Sequence, residues 1–352
     1  DEAGLELATQ SRERALVGGF GPEAGFCGAQ IAEAMLYQGR FDEADLLLED
    51  CRSEGLKARV WRALRIFSLI ARGDFAAAEP LVRETLALFA EVVGQPEGYD
   101  LQDEVEVYCG LDDVAQALGL VREHLASVPW RGSLCGLPVT ARAAWTAVAC
   151  AVRAGVEVPA DLMTSCDEVL AAALAAIDEE EELRSSLPAS GALVADAFAR
   201  TLDGESAVEA WRSAVEASAP YGAYHVLLPR LELAAALLGA GERDEARSLV
   251  TEVWQSARAM GARHYEQQAA TLARRNRIQL SGEPVPPQLA ALTAREREVL
   301  DVLASGATNR TIAERLFISE KTVSVHVTNL LAKLGVPNRG EAAALARELA
   351  ND

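Results

Sequence analysis

Hydrophobic residues recur at intervals of three and four along most of this chain, and the last sixty or so residues carry four short segments of this kind. This spacing places the apolar side chains on one face of an α-helix. The third segment shows it most clearly, with apolar residues at Val323, Val327, Leu330, Leu331 and Leu334. The other faces are polar, so the pattern predicts four short helices around one small core.

Residues that start and stop helices divide the four segments. The candidate N-terminal caps are Thr293, then Thr308 or Asn309, then Ser319, then Asn338. Glu296 and Glu341 complete two capping boxes, while Gly306 and Gly335 end the first and third helices. About three residues separate the second helix, which runs to about Phe317, from the third. That is the length of the turn in a DNA-binding helix-turn-helix motif.

The outward face of the third helix has the features of a helix that enters the major groove of DNA. Its residues are small, polar and mildly basic, with one exposed valine: Lys321, Thr322, Ser324, Val325, His326, Thr328, Asn329, Ala332 and Lys333. Short side chains let the backbone approach the bases, edge donors reach phosphates, and the valine can contact a thymine methyl group. The alternative is the ordinary solvated face of a small helical bundle.

Four stretches of this region carry a family resemblance. They read LTAREREVL at 292–300, GATNRTIAERLFISEKTVSVHV at 306–327, NLLAKLGVPNR at 329–339 and EAAALA at 341–346. In them the chain resembles the LuxR-type (GerE-type) helix-turn-helix domain of bacterial transcription factors, over about a sixth of its length. The resemblance implies that residues 291–352 bind promoter double-stranded DNA as a homodimer or higher oligomer and contact RNA polymerase.

The resemblance also implies roles for individual residues. Ser324, Val325 and Thr328 would face base edges. Some relatives carry Lys at the positions of Ser324 and Thr328. Phosphate or flanking contacts would come from Thr308, Asn309, Arg310, Ser319, Lys321, Thr322, His326, Asn329 and Lys333. Two roles stay equally open for His326: a donor to phosphate, or a residue packed within the helix.

The fourth helix is rich in apolar residues, and in the family the matching helix mediates dimer contacts. The dimerisation residues expected by this resemblance are Val336, Arg339, Ala342, Leu345 and Leu349. The alternative is that these residues close the core of their own domain, which small residues such as Ala342 and Ala346 would also suit.

Residues 1–280 repeat a turn pattern in which Gly stands five residues before Ala. The pairs are Gly39 and Ala44, Gly73 and Ala78, Gly110 and Ala115, and Gly241 and Ala246. The pattern resembles the turn between the paired helices of tetratricopeptide repeats. It predicts an all-α sensor or interaction domain of six or so antiparallel helix pairs, stacked into a curved solenoid. The concave groove is the expected site for a small-molecule or protein effector, and Trp61, Trp211 and Trp254 are expected in the core.

The charge of the chain is unevenly distributed between the two predicted domains, which a Pro-rich linker at 281–290 separates. The net charge is −20, yet residues 284–352 hold eight basic and eight acidic side chains. Residues 308–339 carry five basic and two acidic side chains, a local charge of +3. Because charges beyond a Debye length of ~8 Å are largely screened, an acidic first domain is compatible with DNA binding by the second.

No pattern for catalysis, for a cofactor or for a metal is found in the sequence. GxxxxGK[ST], GxGxxG, HExxH and GxSxG are absent, and the four His residues are scattered. The six Cys residues form no CxxC pair and suit free thiols in a reducing cytoplasm. No apolar run approaches the ~18 residues of a membrane span. The expectation is a bacterial protein of the cytoplasm, associated with the nucleoid, that is not an enzyme.

A LuxR-type domain behind helical repeats resembles the large MalT-like regulators, in which an ATPase module precedes the repeats. No such module is visible here, which fits a fragment of such a regulator or a shortened relative. The implied function is a sequence-specific transcriptional activator whose repeats sense an effector. The alternative is a protein-interaction scaffold whose C-terminal domain no longer binds DNA.

Overall fold

The chain folds into α-helices joined by turns, as the sequence predicts. The computed structural model describes residues 2–53, 58–92, 98–126, 136–180, 183, 186–204, 207–280, 292–304, 307–316 and 318–351. Over these ranges the backbone contains no β-strand, so the predicted all-α class is confirmed. The chain divides into two compact units, Asp1–Ile278 and Gln279–Asp352. The predicted linker at 281–290 lies outside the described residues.

The first unit is a succession of α-helices. They are α1 (Glu2–Val17), α2 (Gly21–Tyr37), α3 (Phe41–Ser53), α4 (Ala58–Arg72), α5 (Phe75–Val92), α6 (Gly98–Gly110), α7 (Val114–Ala126), α8 (Gly136–Arg153), α9 (Ala160–Glu179), α10 (Leu187–Leu202), α11 (Val208–Ser218), α12 (Leu227–Ala240), α13 (Arg243–Met260) and α14 (Arg263–Asn276). Helices that follow one another pack together, and α8 also packs against α6 and α10. None of the described helices is long and apolar enough to cross a membrane.

Small residues let these helices approach closely. Ala44, Ala78 and Ala246, three of the four alanines of the predicted turn pattern, are fully buried. Trp211 is also fully buried, and its ring lies edge-on to Phe198 at 4.9 Å between centroids. Trp254 is buried as well, whereas Trp61 is only half-buried and lies beneath the guanidinium group of Arg52. The expectation of a core position therefore holds for two of the three tryptophans.

The third predicted turn is wrong by two residues. The left-handed backbone position is Asp112, with φ of 59°, and the buried alanine five residues later is Ala117. Ala115 is exposed. Gly110 lies at the end of α6, where an added Cβ would come within 2.4 Å of the Phe75 ring. This glycine is needed for close packing and not for the turn, and aspartate is one of the few other residues that tolerates the left-handed region.

The end of the first unit folds back onto its beginning. The backbone N–H of Tyr224 donates to the Tyr37 carbonyl at 3.3 Å, and the Tyr224 ring lies 5.0 Å from that of Phe67. Arg263 Nε donates to the Arg72 carbonyl at 3.1 Å across 191 residues of sequence. A cleft of about 870 Å³ remains between α14 and the ends of α4, α6, α8 and α12. The lining of this cleft therefore comes from helices that are far apart in sequence.

The second unit consists of α15 (Ala294–Ala304), α16 (Asn309–Leu316), α17 (Glu320–Leu334) and α18 (Arg339–Asn351). Its core contains Leu292, Val299, Leu300, Leu303, Ile312, Val323, Leu330 and Ala342. The apolar stripe predicted on the third segment is confirmed: Val323 and Leu330 are fully buried, and the other three residues pack against them. Gly306 and Phe317 lie outside the described residues, as does the side chain of Leu349.

The predicted caps set the bounds of these four helices. Glu296 N–H donates to Thr293 Oγ1 at 3.3 Å, and Thr293 N–H donates to Glu296 Oε2 at 2.8 Å, which completes the capping box. Thr308, and not Asn309, caps α16, because its Oγ1 accepts from the Thr311 N–H at 3.3 Å. Gly335 ends α17 in the left-handed conformation. Local hydrogen bonds thus fix where each helix starts and stops.

Candidate nucleic-acid interface

The turn between α16 and α17 is held from both sides. Ile318 N–H donates to the Ala313 carbonyl at 3.0 Å, and Ile318 packs against the core. Arg295 Nη2, from α15, donates to the Leu316 carbonyl at 2.8 Å. These contacts fix the angle at which α17 leaves the turn, so its outward face has a defined direction.

The N-terminus of α17 is capped by hydroxyl groups. Ser319 Oγ accepts from the Thr322 N–H at 3.1 Å and lies 2.7 Å from Thr322 Oγ1. Ser319, Thr322 and Lys321 are all exposed there. The remaining free N–H groups and the positive end of the helix dipole favour an anion at this position.

The outward face of α17 is open along its length. Ser324, Thr328 and Asn329 are exposed, and Val325 is 54% exposed although it is hydrophobic. His326 is half-buried at the edge of this face. The described residues therefore place the three predicted base-facing side chains together on one open surface, as the helical spacing requires.

Ser324 and Thr328 are oriented by the helix itself. Ser324 Oγ donates to the Glu320 carbonyl at 3.0 Å, and Thr328 Oγ1 donates to the Ser324 carbonyl at 2.9 Å. A hydroxyl group has one proton to donate and two lone pairs. Because both protons are used inside the helix, the two side chains present hydrogen-bond acceptors outward.

A hydrogen-bond chain connects this face to the other helices. Arg339 Nη1, at the start of α18, donates to Asn309 Oδ1 at 3.2 Å, and its Nη2 donates to the Ala307 carbonyl. Asn309 Nδ2 then donates to Ser324 Oγ at 3.1 Å. From the sequence, Asn309 was expected to make a phosphate or flanking contact and Arg339 to lie in a dimer interface. In the structure both side chains have partners within their own domain, and Asn309 touches a predicted base-facing residue.

Lys333 also has a partner that the sequence analysis did not predict. Its Nζ lies 2.6 Å from Oε2 of Glu296, a residue only 3% exposed. The same carboxylate accepts from Thr293, and the hydrogen bonds from Lys333 and Thr293 lower the pKa of Glu296 to about 2. Lys333 thus joins the end of α17 to the start of α15, and its expected phosphate or flanking contact stays a prediction.

Arg310, on α16, was predicted to make a phosphate or flanking contact. It pairs with Glu314 on the same helix at 3.2 Å, and both side chains are largely exposed. Exposed pairs at this spacing contribute only about 0.3–0.5 kcal/mol. Arg310 can therefore exchange Glu314 for a stronger anion at little cost.

The residues predicted for dimerisation occupy different environments. Ala342 is fully buried in the core of its own domain, so its side chain cannot contact a second copy. Val336 packs against that core, which favours the core-closing alternative for both residues. Leu345 is half-buried and faces neither fully inward nor fully outward.

Metal binding finds no support in the described part of the chain. No group of three or more His, Cys, Asp or Glu side chains there is arranged to hold a metal ion.

Two short helices joined by a three-residue turn, with the second helix capped by Ser319 and exposed along one face, define a helix-turn-helix domain. Residues 290–346 match the family of bacterial regulatory proteins, luxR family. The chain belongs to this family.

Three relatives illustrate how far the similarity extends. The spore germination protein GerE of Bacillus subtilis is 53% identical over 51 residues, which are 14% of this chain and 69% of that protein. The transcriptional regulatory protein LiaR of Bacillus subtilis is 48% identical over 71 residues, 20% of this chain and 33% of LiaR. The DNA-binding transcriptional activator DevR/DosR of Mycobacterium tuberculosis is 51% identical over 61 residues, 17% of this chain and 28% of the relative. The chain spans about a third of the length of LiaR and DevR/DosR.

Proposed function

We propose that this chain is a sequence-specific transcriptional regulator that binds promoter DNA by placing α17 in the major groove. The observation that carries the proposal is the exposed valine at position 325, in the middle of an open polar face. An isolated hydrophobic side chain on such a face is removed from water when it packs on a thymine methyl group. The family membership of residues 290–346 supports the same reading.

The base-facing residues define the kind of base edge they would contact. Ser324 and Thr328 present acceptors, because their protons are donated to backbone carbonyls. In the major groove the donors are the amino groups of adenine and cytosine. The proposed site therefore contains A or C amino groups opposite these two hydroxyls and a thymine methyl group opposite Val325.

The phosphate contacts would flank this face. Lys321 and Thr322 stand at the N-terminus of α17, and Arg310 stands on α16 with only an exposed partner. Residues 308–339 carry a local charge of +3 in a chain of net charge −20. Binding would thus depend on a few contacts and not on the charge of the whole molecule.

The first unit would act as the sensor. Its cleft of about 870 Å³ has the size of a small-molecule site and lies between helices that are far apart in sequence. A ligand there would tie α14 to α6 and α8. We propose regulation of transcription in the bacterial cytoplasm, by activation, with RNA polymerase and a second copy of the chain as partners.

The test of DNA binding is selection from a pool of random duplexes by the full chain. The expected result is enrichment of one motif, with A or C and T at adjacent positions. Recovery of unenriched sequences would instead support the scaffold alternative. Native mass spectrometry of the same protein tests the sensor proposal separately, since a retained small molecule would add its mass to the chain.

A further inference from the structure

The wall of the cleft in the first unit contains two neighbouring thiols. Cys109 is near the end of α6 and Cys150 is near the end of α8, and these two helices pack against each other. Both side chains line the cleft, and both are free and only half-buried. They are 41 positions apart in sequence, so no local motif reveals the pair.

The pKa values of the two thiols shift in opposite directions. Cys109 donates a hydrogen bond to the sulfur of Cys150, which raises the pKa of Cys109 and lowers that of Cys150. Burial opposes ionisation of Cys150, Arg153 favours it, and Glu106 and Glu232 oppose it. Arg153 pairs with Glu232 at 2.7 Å, and Glu106 pairs with Arg142 at 3.3 Å, so each carboxylate next to the thiols has a cationic partner. The pair therefore resembles a nucleophile and a resolving thiol, since the thiolate is the reactive form of cysteine.

The other described cysteines differ from this pair. Cys51 and Cys166 are fully buried, and burial raises the pKa of Cys166 to about 12. Cys27 is half-buried on α2 and does not line the cleft. Among the described cysteines, only Cys109 and Cys150 contact each other and also line the cleft.

We propose that Cys109 and Cys150 form a redox-active dithiol that small hydroperoxides oxidise to a disulfide. The Cys150 thiolate attacks the peroxide, so that an S–O bond forms, the O–O bond breaks, and hydroxide leaves and is protonated to water. The Cys109 sulfur then attacks Cys150, so that the S–S bond forms and the S–O bond breaks. The proton of Cys109 leaves with the departing oxygen as a second water. Two thiols are oxidised, and one hydrogen peroxide is reduced to two waters.

The proposal does not depend on DNA binding, and it gives the cleft a chemical function of its own. A disulfide would join α6 to α8 in the wall of the site proposed for an effector. Oxidation would therefore change the cleft without any bound ligand.

The experiment uses the full chain, reduced and then treated with one equivalent of hydrogen peroxide. The reaction is quenched in acid, the remaining thiols are alkylated, and the digest is mapped by mass spectrometry. The expected product is the peptide pair linked through Cys109 and Cys150, with Cys51 and Cys166 alkylated. A Cys166→Ser variant is the control and should give the same yield. This mapping requires no substitution in the pair, so it does not depend on whether such a variant folds.

Two variants assign the order of the steps. With dimedone present, Cys109→Ser should accumulate a labelled sulfenic acid at Cys150, whereas Cys150→Ser should leave Cys109 unlabelled. The proposal is overturned if no linked pair forms, if disulfides to Cys27 form in comparable yield, or if the label appears on Cys109 in the Cys150→Ser protein.

Discussion

A few hydrogen bonds fix the orientation of hydroxyl and amide side chains on α17 and α16 before any DNA is present. Ser324 Oγ donates a hydrogen bond to the Glu320 carbonyl and accepts one from Asn309 Nδ2, which leaves one acceptor site free. Asn309 is in turn held by Arg339. A preset acceptor loses less conformational freedom on binding than a freely rotating one. At the residue scale, Asn309 is thus a positioning residue of the proposed interface.

Asn309→Ala is expected to weaken binding to the preferred duplex more than to a mismatched one. The physical reason is that Ser324 loses the donor that orients it, and a base-edge contact is worth about 1–3 kcal/mol. A double-mutant cycle with Ser324→Ala checks this by binding titration. If Asn309 acts through Ser324, the double variant should bind as weakly as the weaker single variant. Additive losses would instead mean that Asn309 contacts DNA by itself.

The two lysines of α17 should behave differently when each is replaced by alanine. Lys321 is exposed at the helix N-terminus, whereas Lys333 pairs with the buried carboxylate of Glu296. Lys321→Ala should weaken binding to all duplexes alike and reduce the salt slope by about one unit. Lys333→Ala should instead increase hydrogen exchange of the α15 and α17 amides in the full chain. Equal salt slopes for the two variants would contradict this distinction.

The second unit should lose stability in acid through Glu296. Its pKa in the folded state is about 2, below the ordinary value of 4.5, because Lys333 and Thr293 donate to the carboxylate. A lowered folded-state pKa gives stability that is complete above about 4.5 and is lost as the pH falls towards 2. The protection factors of the α15 amides, which correct for the pH dependence of intrinsic exchange, should fall more in the parent than in Glu296→Gln between pH 6 and about pH 3. Parallel profiles for the two proteins would contradict the assignment.

Helix bounds in the second unit were predictable because each cap is formed by residues that are close together in the sequence. Ser319 and Thr322, or Asn338 and Glu341, interact across three positions, and spacing alone reveals them. The pair of Lys333 and Glu296 joins residues 37 positions apart, so no local pattern contains it. The turn at Asp112 was missed for a related reason. The nearby glycine serves a packing contact with Phe75, which sequence spacing cannot distinguish from a turn.

Two substitutions near the end of α6 test that interpretation of the turn. Gly110→Ala adds a Cβ within 2.4 Å of the Phe75 ring and should destabilise the first unit by about 1–3 kcal/mol through overpacking. Asp112→Gly removes a side chain from the left-handed region and should be neutral or stabilising by up to about 1 kcal/mol. Urea unfolding of both full-chain variants measures the difference. The reverse order of stabilities would mean that Gly110 is the turn residue after all.

At the scale of the whole molecule, the acidic and the DNA-facing parts are distinct compact units. The net charge of −20 lies in residues 1–283, while residues 284–352 are neutral overall. The all-α class and the four C-terminal helices followed from local periodicity. The packing of helices α12–α14 against the first helices did not follow from local periodicity, because it joins residues about two hundred positions apart. That long-range closure determines the shape of the cleft.

Cooperative binding by two copies is expected to depend on Leu345 of α18. Leu345→Asp should reduce cooperativity on a duplex with two half-sites and leave the affinity for one half-site unchanged. Ala344→Asp is the control, because Ala344 is exposed beside it and the added charge is the same. Electrophoretic mobility shifts with one-site and two-site duplexes compare the variants. Unchanged cooperativity in Leu345→Asp would leave α18 as a core helix only.

The central claim is that α17 reads base edges, and its most direct test is a set of titrations with the selected duplex and with duplexes mismatched at single positions. Val325→Ala and Thr328→Ala should each lose about 1–3 kcal/mol of discrimination at one position and bind mismatched duplexes as the parent does. Lys321→Ala should keep the discrimination of the parent at every position. If Val325→Ala and Thr328→Ala retain the full preference of the parent protein, α17 does not read the DNA sequence and the account is wrong.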